Sequence, residues 1–191
     1  MNLITKLEKE GWLILYGGAD IDPKIYNKEN YKSYISSYSI QRDKQEIQEY
    51  KAAVKKGRPI FGICRGMQLM SALNGLSLIQ DMSHGGTHWI KALNTKDGTF
   101  NTDLVVNNAH HQCVWTENKL EGDRFKIYGY CNISPYHHYQ EKEIVDCKVE
   151  PEIMYFPKVK GFGTQFHPEW MGDIEKEETL QYLENTINTL F

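Results

Sequence analysis

Apolar positions along the chain fall into short continuous runs, separated by stretches in which they recur with helical spacing. Residues 3–10 suit a short helix, and residues 12–16 form an apolar run that ends at Gly17 and Gly18, the pattern of a buried strand closing on a turn. Residues 17–23 then read as a loop whose glycines let backbone N–H groups approach a ligand. Residues 24–39 are rich in Tyr, Ser, Lys and Asn and read as a surface loop. From Asp43 a helix is expected, with Asp43 and Glu46 as a capping box and Ile47, Tyr50 and Val54 on one face. Gly57 and Pro59 stop it. Pro59, Ile60 and Phe61 end a second buried strand. Leu69, Met70 and Leu73 then give a helix over residues 67–73 its apolar face, and Asn74 and Gly75 close it.

The second half is richer in strands. Residues 76–82 read as extended, residues 89–106 as short strands around a turn at Asp97 and Gly98, and residues 124–130 as an alternating strand. Residues 153–156 and 162–166 pair as a hairpin across residues 157–161. The polar loop 107–112 sits between apolar runs, as a loop beside a ligand does. A final helix begins near Asp173, with Leu180, Leu183, Ile187 and Leu190 as its buried stripe.

Composition narrows the function classes. The 191 residues suit one domain with a substantial core. A net charge of -3 gives nucleic acid no electrostatic footprint to meet. No apolar run approaches the roughly 20 residues that span a bilayer, and the first residues lack the apolar core of a secretion signal, so no membrane partner is expected. The four cysteines, Cys64, Cys113, Cys131 and Cys147, include no C-x-x-C pair, which fits a reducing, cytoplasmic protein. His84 and His88 are a tempting pair, but no third ligand stands at a natural spacing, so no metal is expected.

The chemistry gathers at Gly62-Ile63-Cys64-Arg65-Gly66, between the second strand and its helix. Two glycines bracket a cysteine where the chain turns too tightly for flanking side chains. This is the logic of the nucleophile elbow with sulfur in place of oxygen, and it predicts an exposed, strained Cys64. The helix that follows points its N–H groups at the sulfur, which predicts a lowered thiol pKa. A thiolate nucleophile needs a base and a group to orient that base. His167 and Glu169, two apart in an expected extended segment and stiffened by Pro168, can supply both from one face.

The stretch from Phe61 to Gln68, taken with Gln165-Phe166-His167-Pro168-Glu169-Trp170, resembles the class I glutamine amidotransferase superfamily. Arg65, Trp170, the 107–112 loop, the 17–23 loop and the pair Arg42-Asp43 bring it nearest the γ-glutamyl hydrolase branch, which includes the γ-glutamyl-γ-aminobutyrate hydrolases. The resemblance covers roughly residues 12–172. It implies an α/β fold, a three-layer α/β/α sandwich of flavodoxin-like type. Its central sheet would be mostly parallel, flanked by a few antiparallel strands from residues 89–166.

It also implies roles. Cys64 would attack a γ-glutamyl carbonyl, His167 would move the proton, and Glu169 would orient His167. The backbone N–H of Arg65 and one from Gly17 or Gly18 would form the oxyanion hole. Gln68, His110 and His111 would line the substrate site. No cofactor is implied.

The resemblance further implies strands ahead of the first Gly-Gly loop, where this chain has about a dozen residues, so the sheet is expected to be short on that side. So short a version suits a bacterial or bacteriophage gene. The leading expectation is hydrolysis of a small γ-glutamyl amide through a thioester. Its rivals are a glutaminase subunit feeding ammonia to a separate synthetase or ligase, and a non-catalytic binding protein on the same scaffold. A fourth candidate, the protease-and-chaperone family with the same elbow, typically places a His directly after the Cys, where this chain has Arg65.

Overall fold

The computed structural model describes residues 2–82, 86–131, 139–140, 142–171 and 173–191. In chain order the elements are α1 (Leu3–Lys9), β1 (Leu13–Leu15), α2 (Ser37–Lys55), β2 (Ile60–Ile63), α3 (Arg65–Leu73), β3 (Ser77–Ile79), β4 (His88–Ala92) and β5 (Thr102–Val106). There follow β6 (Cys113–Trp115), β7 (Glu121–Gly122), β8 (Phe125–Cys131), β9 (Tyr139–Gln140), β10 (Glu143–Ile144), β11 (Glu150–Phe156), β12 (Gly161–Thr164) and α4 (Asp173–Leu190).

The main sheet runs β1-β2-β12-β11-β8-β4-β5, with β7 beside β8. Its site-bearing end is parallel: β1 pairs with β2, and β2 pairs with β12. From β12 outward every pairing is antiparallel. The flanking strands expected from residues 89–166 therefore form the larger wing of the sheet. Two of its pairs, β7–β8 and β11–β12, are joined by tight connections, which only antiparallel neighbours permit.

Alternating residues of the central strands feed two cores. Phe61, Ile63 and Phe162 pack with Leu3, Ile4 and Leu7 of α1 and Leu183 and Ile187 of α4 on one face. Leu15, Ile60 and Met154 pack with Tyr50 and Ala53 of α2 and Met67 and Met70 of α3 on the other. Helices thus cover both faces, giving the α/β/α layering. Among the described residues no helix is long and apolar enough to cross a membrane.

One boundary differs from expectation. α2 starts at Ser37, not at Asp43, and its capping box is made by Ser36 and Ser39. Asp43 and Glu46 therefore lie inside the helix, where both are buried. Their partner is Arg65, 1% exposed, whose guanidinium forms ion pairs with both carboxylates. Three buried charges persist there because each is matched.

Candidate active site

β2 and α3 meet at Cys64, whose backbone sits at φ 49 and ψ -109, a conformation that non-glycine residues rarely hold. Tight packing enforces it. A Cβ on Gly66 would lie 2.0 Å from the carbonyl oxygen of Leu15, and one on Gly62 would lie 2.7 Å from the backbone of Gly66 and Met67. The elbow is as narrow as its glycines suggest, yet Cys64 is not exposed. It is 6% accessible and lies against a cavity of about 170 Å³ lined by Gly18, Asp20, Tyr34, Gln68, His110 and His111, among others.

Burial also reverses the expected pKa. Loss of water pushes the Cys64 thiol up to about 12, against a smaller opposing pull from the Arg65 backbone N–H, and Glu152, Asp20 and Glu169 push it further up. A raised pKa means that the thiol is protonated throughout the neutral range, so the proton must be removed during reaction. Alkylation of Cys64 by iodoacetamide should accordingly rise about tenfold per pH unit from pH 6 to 9, without a plateau. Cys64 should also be modified ahead of Cys113, Cys131 and Cys147, which are buried and do not line this cavity. Rate measurement with peptide mapping checks both points. A plateau below pH 7 would show a stable thiolate instead.

The His167–Glu169 segment is not extended. His167 precedes a 3-10 turn, Pro168–Trp170, with Pro168 at its first position, where a missing N–H costs nothing. The turn brings Glu169 Oε1 to 2.8 Å from His167 Nδ1. A carboxylate at that distance accepts the Nδ1 proton and leaves Nε2 as the basic nitrogen. The ring, 3% exposed by residue, lies under Trp170 with centroids 3.7 Å apart and planes 1° from parallel. Asn107 fixes the backbone from the other side: its Nδ2 donates to the His167 carbonyl at 2.8 Å, and its Oδ1 accepts from the His167 N–H at 2.9 Å.

Gly17 joins the two halves. A Cβ there would sit 2.5 Å from His167 Cε1 and 3.5 Å from Cys64 Cβ, so only glycine lets this loop lie between them. Arg42 holds the loop in place. Its guanidinium donates to the carbonyls of Gly17 at 3.0 Å and Tyr16 at 2.9 Å, while its Nε donates to Glu46 at 2.7 Å.

Gln68 reaches the cavity as expected, but its Nε2 is already engaged with the Gln112 carbonyl at 3.0 Å and Gln165 Oε1 at 3.2 Å. Gln165 in turn places its Nε2 3.6 Å from Cys64 Sγ. His110 and His111 both line the cavity, with different partners. His110 Nδ1 faces the Gln112 carbonyl at 2.9 Å, and His111 Nε2 meets Asp20 Oδ2 at 2.8 Å, with Tyr34 against its ring. His84 lies outside the described residues. His88 meets Glu152 at 3.1 Å.

Arg42, Asn107 and Asp20 are the site residues whose roles sequence reasoning missed. Asn107 had a signal, the first of two amides directly after the apolar end of β5. Arg42 had only its place in the Arg42-Asp43 pair that carries part of the resemblance.

The family model described as Peptidase C26 matches residues 2–169, which include Cys64, His167 and Glu169. The chain belongs to the peptidase C26 family. It is also similar to the glutamine amidotransferase-like protein YvdE of Lactococcus lactis, with 31% identity over 59% of this chain and 53% of that one. Protein NtpR of Enterococcus hirae is 29% identical over 82% of this chain and 66% of its own length. This C26 chain therefore spans between half and two thirds of those relatives. Of solved structures, that of SMU.1228c superposes with a TM-score of 0.56 at 15% identity, covering 93% of this chain and 97% of that one. A candidate GMP synthase component from Thermoplasma acidophilum gives 0.52 at 18% identity, over 95% and 74%. These likenesses establish the α/β fold of the class I glutamine amidotransferases for this family member.

Proposed function

We propose that this C26 protein hydrolyses γ-glutamyl amides through a thioester on Cys64, with no cofactor. The observation that carries the reading is a glycine loop threaded between a strained cysteine and a histidine held by a carboxylate, so close that a Cβ on Gly17 would meet both side chains. In this scheme His167 Nε2 takes the thiol proton as sulfur bonds to the γ-carbonyl carbon. The carbonyl oxygen becomes an oxyanion, met by the backbone N–H of Arg65 and one from Gly17 or Gly18. The imidazolium gives its proton to the departing nitrogen as the C–N bond breaks. A water molecule, deprotonated by His167, then cleaves the thioester, releasing glutamate and restoring the thiol. Glu169 stabilises the imidazolium at each stage. Gln68, His110 and His111 line the side on which the glutamyl group would rest.

The purified chain should turn over γ-glutamyl-p-nitroanilide or γ-glutamyl-γ-aminobutyrate unaided, and should prefer a substituted amide to glutamine. Steady-state kinetics on both substrate types test this. A second reading, a glutaminase subunit serving a separate synthetase, draws on similarity to the glutamine-hydrolysing GMP synthase of Halothermothrix orenii, 32% identical over 65% of this chain but only 21% of that enzyme. A protein silent on every substrate until a synthetase is added would favour that second reading.

Within the proposed scheme Arg42 is a positioning residue. Arg42→Gln releases the two loop carbonyls without touching the cavity lining. It should lower kcat roughly tenfold while leaving KM within about twofold, since the loop would serve the transition state. A change confined to KM would place Arg42 in substrate binding instead.

A further inference from the structure

Two buried carboxylates that this scheme leaves unused lie behind the cavity. β11 carries two glutamates, Glu150 at 1% and Glu152 at 0% exposure, and a bulge after Pro151 marks this part of the strand. Two carboxylates withdrawn from water this far require compensating positive charge. His110 faces both of them with a side chain only 2% exposed. Its orientation is informative. Nδ1 lies 2.9 Å from the Gln112 carbonyl, which can only accept, so Nδ1 carries the proton and Nε2 is turned toward the carboxylates. Nε2 stands 3.9 Å from Glu150 Oε1 and 4.0 Å from Glu152 Oε1. These separations exceed a hydrogen bond and stand about 0.5 Å beyond the roughly 3.4 Å between two ligand atoms of a tetrahedral ion at about 2.1 Å, so a small inward shift of the side chains would let one ion bridge them. One donor atom from each of the three residues lies within 4.8 Å of the other two. A ring N–H given to a backbone carbonyl is also the usual way a protein aims the other nitrogen of a histidine at a metal.

We propose that His110, Glu150 and Glu152 bind a divalent ion of the zinc type, with His88 holding Glu152 in position through its 3.1 Å contact. The donor set is nitrogen and oxygen only, its two negative charges match the ion, and three protein ligands leave a fourth position for water. The ion would pin the 107–112 loop through His110, and the proposal does not depend on which amide is cleaved.

The test uses the full chain with Cys64→Ala, because zinc also binds cysteine–histidine pairs. After chelator treatment, titration of zinc against a chromogenic chelator should show one equivalent bound per chain. Glu150→Gln and Glu152→Gln in that background should each weaken binding at least tenfold, and His88→Ala should weaken it less. X-ray absorption of the zinc-loaded parent should show nitrogen and oxygen neighbours with an imidazole signature, a readout that needs no glutamate variant to fold. No uptake of zinc, an affinity unchanged by both glutamine variants, or a sulfur neighbour would overturn the proposal.

Discussion

Cys64→Ala should leave a folded protein that cleaves no γ-glutamyl amide, with a loss of about 10⁴-fold or more in kcat. The two halves of that expectation have separate causes. The strained backbone at residue 64 is imposed by Gly62, Gly66 and the Leu15 carbonyl, all of which the variant keeps. Alanine meets the same positive φ with the same Cβ as cysteine, so the substitution adds little backbone strain. The lost sulfur faces an existing cavity, so it leaves no new enclosed void. Thermal unfolding should therefore change by only a few degrees while turnover disappears. Kinetics at high enzyme concentration, alongside a melting curve, measure both. Retention of more than about a hundredth of the wild-type rate would remove Cys64 from the nucleophile's role.

His167→Ala should be nearly as damaging, and Glu169→Gln at least tenfold less so. The histidine would be the only group moving protons in either half of the reaction. The glutamate shares its orienting task. Trp170 lies flat on the imidazole, and Asn107 clamps the backbone on both sides of the peptide, so the ring keeps its place when the carboxylate is neutralised. What Glu169→Gln removes is the negative charge that stabilises the imidazolium. The double variant Cys64→Ala/His167→Ala should be no slower than Cys64→Ala alone, because residues that act as one unit do not contribute additively. Equal losses for Glu169→Gln and His167→Ala, with the fold intact, would assign the glutamate a direct part in proton transfer.

How much of this could be read in advance depended on distance along the chain. The elbow was legible because Gly62, Cys64 and Gly66 state it within five residues, and the β11–β12 hairpin because its two runs flank one turn. The start of α2 was hidden, since its Ser36–Ser39 box lies in a polar, Tyr-rich stretch that has the composition of a loop. Asp43 and Glu46 were misread because a helix cap and a buried ion-pair acceptor use the same residue types. Only the fold, by bringing Arg65 against them, distinguishes the two. Asn107 meets His167 across 60 residues and His88 meets Glu152 across 64, separations that no local pattern encodes. The thiol pKa failed for another reason. The helix N-terminus was visible in the sequence, while the burial that outweighs it is a property of the assembled cavity.

The parallel pairing of β2 with β12, Phe61 opposite Phe162, has a consequence for biosynthesis. Much of what shapes the elbow, from Leu15 through Arg42 and Asp43 to Gly66, comes from the first third of the chain, while Thr164 of β12 accepts from the Cys64 N–H at 2.7 Å. His167 joins it only when β12 docks, about a hundred residues later. At roughly 5–20 residues per second a ribosome takes between about 5 and 20 seconds to make that stretch. Through that interval the cysteine lacks both β12 and His167, so in the proposed scheme a nascent chain would carry an inert thiol until the last strand of the sheet docks.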